Sequence, residues 1–167
     1  MITAEYCRVM TDYNLWMNER LFDLCRSIDD AERKSDKAAF FGSIHGTLNH
    51  ILYGDLAFMS RFTGIPAVVP ELGVDLYDDF DDLWQSRSSL DNRICEWSST
   101  LTAGWLEEEL TYTSEVDGIT RTIPKWVLVV HMLNHQTHHR GQITTILSQM
   151  ALDVGTTDIP FMPQFQS

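Results

Sequence analysis

Asn134-His-Gln-Thr-His-His-Arg-Gly-Gln142 is a polar run inside a segment, Pro124 to about Leu152, that otherwise reads as one long apolar helix. Leu128, Val129, Met132, Ile143, Ile146, Leu147 and Met150 recur there at helical spacing. Pro124 suits a first-turn position, where its missing N–H costs nothing. His135 and His139 are four residues apart, so on a helix they differ by about 40° around the axis and project side by side. That is metal-ligand spacing. Two neutral imidazoles alone hold an ion weakly, so a third ligand has to come from another part of the fold.

The helical wheel selects between the four histidines of this segment. Taking the mean direction of the apolar residues as the core, His139 lies about 30° from it and His135 about 70°, whereas His131 and His138 lie more than about 100° away. His135 and His139 are therefore the inward pair, and His131 and His138 are boundary residues or donors to a ligand. Gln136 falls on the apolar side and is placed to orient a ligand. The competing reading is that the histidines are half-buried polar groups bonded to carbonyls and water. Two imidazoles one turn apart in an apolar stripe without a shared partner would leave buried nitrogens unsatisfied, which favours a metal.

Three further helices follow from periodicity. The first is expected from about Thr3 to about Ile28, the second from about Phe40 to Phe62, closed by Thr63-Gly64-Ile65-Pro66, and the third from about Asp78 to Leu101. A connector to about Tyr77 carries glycine and proline breaks among apolar residues and is expected to pack on the body as an ordered loop. A short turn is expected at Trp105 to Leu110. Tyr112 to Ile123 alternates around Asp117-Gly118, which predicts a small hairpin inserted before the last helix. Long helices with apolar sides imply an all-α, four-helix bundle, whose sites are built by side chains projecting inward from facing helices.

At 167 residues, 44% apolar and 22% charged, the chain suits a single globular domain, 1–167. No apolar stretch reaches the roughly 18 residues of a membrane span, and the first residues resemble no signal peptide, so a cytoplasmic protein is expected. The formal charge of −12 excludes a nucleic-acid partner, because phosphate binding draws on a basic face. The acidic runs Asp75 to Asp82 and Glu107 to Glu109 read as solvated faces or helix N-terminal turns. Cys7, Cys25 and Cys95 show no CxxC spacing and read as reduced packing residues.

The second helix offers His45, His50 and Asp55 for the missing ligand. Its apolar arc, from Phe41 and Ile44 to Phe62, is wider than one core face requires, which points to a second buried surface such as a dimer contact. Asp55 falls near the middle of that arc. His50 lies at its edge, near the small residues Gly46, Gly54 and Ala57, which leave room for an ion and its water. Spacing alone does not rank His50 above Asp55.

Gly42-Ser-Ile-His-Gly-Thr-Leu-Asn-His-Ile51 and the Asn134–Gln142 run, with Leu76–Leu83 and Thr156–Phe161 between and after them, resemble the DinB family, also called DinB/YfiT-like, over nearly the whole chain. The resemblance implies a four-helix bundle, a homodimer, and a divalent metal held by one histidine of the second helix and an HxxxH pair of the last. By position these are His50, His135 and His139. Three neutral histidines leave a zinc, nickel or iron ion open to water or substrate, as in catalytic rather than structural sites.

The expected function is a metal-dependent enzyme that activates a thiol or a water. S-transfer between a small-molecule thiol and an electrophile is ranked ahead of hydrolysis. Asp55, His138, Tyr53 and Arg140 are the candidates for base, ligand support and anion contact. The alternative is a non-catalytic, damage-inducible metal-binding dimer. A di-iron carboxylate protein is excluded, because the chain contains no Glu-x-x-His pair.

Overall fold

The computed structural model describes residues 2–166, and these form a mostly helical fold with a small two-stranded sheet. Four long helices dominate: α1 (Ala4–Arg26), α3 (Ile44–Thr63), α4 (Phe80–Ser99) and α6 (Lys125–Gln149). The short helices α2 (Asp30–Lys34) and α5 (Ala103–Glu107) lie in the connections. Strands β1 (Glu109–Thr113) and β2 (Thr120–Pro124) pair antiparallel, with Leu110 opposite Ile123.

Local chemistry sets the helix ends. The Thr3 hydroxyl accepts the Tyr6 N–H at 3.0 Å to start α1, and the Ser43 hydroxyl accepts the Gly46 N–H at 2.9 Å to start α3. Gly64 closes α3 in the left-handed conformation, φ 72°, which a residue without Cβ adopts freely. Helix α3 begins at Ile44 rather than near Phe40. An isolated bridge between Ala39 and Gly42 holds the preceding segment in a turn, and the first capping hydroxyl is Ser43. Asp79 caps α4 by accepting from the N–H groups of Asp81 and Asp82, at 2.9 and 3.0 Å. Part of the acidic run is thus a helix N-terminal turn, where carboxylates complement the macrodipole.

The apolar sides of these helices meet in one core that includes Phe22, Leu48, Leu52, Leu83, Ile94, Met132 and Leu147. Helix α1 packs on α4 and α6, and α3 packs on α6 and α4. Each buried Leu, Ile or Phe contributes about 1.5–3 kcal/mol by leaving water. Cys7 and Cys25 are buried in this core as free thiols, and burial pushes them up to about 11 and about 12, so they stay protonated. Among the described residues, no helix is long and apolar enough to cross a membrane.

Two connections differ from expectation. The 64–79 connector does not lie flat on the body: Ile65, Val68, Leu72 and Val74 are exposed, and the packed anchor is Leu76 and Tyr77 at its end. Tyr77 is clamped to α3. Its carbonyl contacts His45 Nε2 at 2.8 Å and accepts from Asn49 Nδ2 at 3.0 Å, while its N–H donates to Asn49 Oδ1 at 3.0 Å. The hairpin exists, but Asp117-Gly118 does not form a two-residue turn. The strands are joined by the longer Ser114–Ile119 loop, closed by Ser114 N–H to Ile119 C=O at 3.1 Å and Gly118 N–H to Ser114 C=O at 2.8 Å.

Candidate metal centre

Helices α3 and α6 pack face to face and bring His50 of one against His135 and His139 of the other. His135 Nε2 lies 3.0 Å from His50 Nε2 and 3.1 Å from His139 Nε2. The three donor atoms all fall within 4.8 Å of one another. Metal–nitrogen bonds of about 2.0–2.1 Å put two ligand nitrogens about 2.9–3.4 Å apart, so this convergence fits one ion. A proton does less. One N–H on His135 can serve only one of its two neighbours, whereas a cation serves three lone pairs at once.

Electrostatics keep the rings in the form that binds metal. Burial and the His139 ring hold His50 down to about 4. Burial, then the surrounding histidines, hold His135 down to about 3, and burial also lowers His139. All three are neutral at pH 7. His139 Nδ1 contacts Gln142 Oε1 at 2.9 Å, and since that oxygen only accepts, Nδ1 carries the proton and Nε2 is left as a donor pair. Gln142 Nε2 in turn faces His138 Nε2 at 3.4 Å.

Steric features hold the rings in place. Phe41 stacks on His50 with centroids 3.7 Å apart and meets His139 edge-on at 5.4 Å. A Cβ on Gly54 would lie 2.9 Å from His135 Cε1, so the ring occupies space that any larger residue would take. His135 Nδ1 is buried without a partner. A cavity of about 250 Å³ opens beside His50, lined also by Phe40, Phe41, Tyr53 and Asp75. A larger open groove of about 1050 Å³ beside Arg26 and Trp84 holds none of the histidines.

The remaining sequence candidates are placed elsewhere. Asp55 is fully buried and accepts from Arg87 Nη1 and Gln136 Nε2, each at 2.6 Å, through one oxygen. Arg87 also donates to Asp91 at 2.7 Å, and Asn18 bridges Asp91 and Gln136 at 3.1 Å. Arg140 is buried and donates to Gln136 Oε1 and Asn14 Oδ1, each at 2.7 Å. Two buried aspartates thus face two buried arginines in a polar network spanning α1, α3, α4 and α6. Burial, opposed by Arg87, pushes Asp55 up to about 7. Asp55 and Arg140 do not line the cavity beside His50. Gln136 serves this network and bonds no histidine. Tyr53 does line the cavity, and its hydroxyl donates to Glu115 Oε2 of the hairpin loop at 2.5 Å.

His131 and His138 are exposed, as the wheel predicts, while His139 is buried. Sequence reasoning missed Gln142 as the support of His139. Its position three residues along the same helical face was the available signal. It also missed Phe41 as the ring that packs on His50 and His139, because Phe41 reads as part of the α3 apolar arc.

The protein DinB of Bacillus subtilis (strain 168) is 23% identical over 164 residues, covering 93% of this chain and 92% of that protein. The crystal structure of a DinB-like protein from Bacillus cereus superposes with a TM-score of 0.62 at 18% identity, covering 84% of this chain and 90% of that one, and so shares its fold. The profile of the DinB family matches residues 1–166, and the chain belongs to that family.

Proposed function

We propose that His50, His135 and His139 bind one divalent metal ion and that the chain is a metal-dependent enzyme acting on a thiol or a water, S-transfer ranking ahead of hydrolysis. The observation that carries this reading is the convergence of three neutral Nε2 atoms from two helices. The four long helices are read as the family's four-helix bundle, and the wide apolar arc of α3 as part of a homodimer contact. Histidine donors suit zinc, nickel and iron.

When bound, the ion would act as a Lewis acid that eases deprotonation of a water or thiol. The chain's own residues do the rest. Gln142 fixes the His139 tautomer, Phe41 stacks on His50 and meets His139 edge-on, and the cavity beside His50 admits a small reactant. Tyr53, at that cavity, is pushed up to about 12 by burial and by its bond to Glu115, so at neutral pH it stays a phenol whose proton is donated to Glu115 and whose oxygen is left to accept.

Elemental analysis of protein purified without added metal, alongside the single variants H50A, H135A and H139A, tests the ligand set. Near-stoichiometric metal in the parent, lost in each variant, is the expected result; unchanged metal in the variants would overturn it. A screen of thiols with several electrophiles then tests catalysis. Absence of metal-dependent turnover across the screen would favour a non-catalytic metal-binding protein instead.

A further inference from the structure

The cavity beside His50 has an uneven chemistry that bears on what enters it. Its walls include the rings of Phe40, Phe41 and Tyr53 and the carboxylate of Asp75, and no lysine or arginine lines it. A second carboxylate, Glu115, stands behind Tyr53 and accepts its hydroxyl at 2.5 Å. Neighbouring cations are engaged elsewhere. Arg121 pairs with Asp117 at 2.6 Å, Lys125 pairs with Glu108 at 2.5 Å, and Arg61 lies over the Phe58 and Tyr112 rings. Aromatic faces attract a cation through their quadrupole, and a cleft lined by one sign of charge concentrates cations and repels anions, more weakly where, as at Asp75 and Glu115, the carboxylates are exposed. The volume, about 250 Å³, lies below the usual range for drug-sized ligands, about 300–1,000 Å³.

We infer that the site selects a short thiol bearing an ammonium group, with the thiol directed to the histidine triad and the ammonium held between the aromatic walls, Asp75 and the Glu115 side. This rests on the metal-site reading above and adds the charge and size of the reactant. It excludes bulky or carboxylate-rich thiols as preferred partners.

The test uses the zinc-loaded full chain, with zinc content measured first, and calorimetric titration with cysteamine, 2-mercaptoethanol and 3-mercaptopropionate. These probes are similar in size and carry a positive, no and a negative charge. Cysteamine should bind tightest and 3-mercaptopropionate weakest. An ammonium group also acidifies its thiol, so the deciding quantity is the cysteamine-to-mercaptopropionate affinity ratio in the double variant Asp75→Asn/Glu115→Gln. That ratio should shrink by about five- to tenfold, the size expected for two partly solvated carboxylates a few ångströms away. An unchanged ratio, or tighter binding of 3-mercaptopropionate by the parent, would overturn the inference and leave the metal site standing. Failure of the chain to hold zinc would overturn both.

Discussion

Gly54 of α3 lies against the His135 ring of α6, so closely that a single methyl on Gly54 would stand 2.9 Å from Cε1 and 3.3 Å from Nδ1. The glycine is inside a helix, where it ordinarily costs about 0.5–1 kcal/mol relative to alanine. Here that cost makes room for a candidate ligand. The relationship separates stability from site geometry in a way that can be measured.

Gly54→Ala should therefore leave the metal-free protein at least as helical as the parent while displacing the His135 ring. Zinc affinity, read by competition with a chromophoric chelator, is expected to fall by about tenfold or more, in the range seen when a ligand's support is lost. Equal affinity in the two proteins would show that the ring is not held by this contact.

Gln142 offers a second handle, through its 2.9 Å contact with His139 Nδ1. Gln142→Ala should weaken metal binding by about 10–100-fold with little change in thermal midpoint. Gln142→Glu keeps an acceptor at that position and should retain most of the affinity. Identical affinities for the alanine and glutamate variants would refute the orienting role.

The histidine triad also predicts a pH dependence for the metal-free protein. Its pKa values are depressed in the fold, with His50 about 4 and His135 about 3, against about 6.5 unfolded. Between those values the unfolded chain binds more protons, so stability rises with pH. The contribution is fully present above about pH 6.5 and is lost as pH falls through the folded values. Urea midpoints should drop between pH 7 and pH 4.5, and the drop should be smaller in H50A/H135A. An equal slope in the double variant would place the acid sensitivity elsewhere.

The buried network supplies a stability prediction separate from metal. Asp55 and Arg87 are essentially inaccessible to water, so removing either leaves buried polar atoms of the other unsatisfied: Arg87 would keep only Asp91, and Asp55 only Gln136. Asp55→Ala or Arg87→Ala should cost about 3–5 kcal/mol by urea denaturation. Arg87→Met combined with Asp55→Leu should recover part of that loss, because an apolar pair carries no desolvation penalty. Wild-type stability for both single variants would contradict the ion pair.

Much of the candidate site was legible in α6 because both of its candidate ligand histidines lie on one helix, where spacing and facing follow from 100° per residue. The wheel separated the inward His135 and His139 from the exposed His131 and His138 by geometry alone. The third position was not legible in this way. His45, His50 and Asp55 all lie on or beside the apolar arc of α3, and their fates differ for tertiary reasons: His45 meets the Tyr77 carbonyl, Asp55 meets Arg87 and Gln136, and only His50 meets the α6 pair.

The same division holds for the fold. Periodicity and capping residues determined the four long helices, since hydrogen bonding and apolar facing are local properties of the chain. Loop placement was decided otherwise. The exposed 64–79 connector, the longer hairpin loop and the turn that delays α3 to Ile44 depend on which distant groups satisfy their backbone. So it is with the centre itself: the sequence determined that α6 carries two imidazoles toward the core, and the docking of α3 on α6 decided what they meet, because convergence of three nitrogens from residues 85 positions apart is a property of packing.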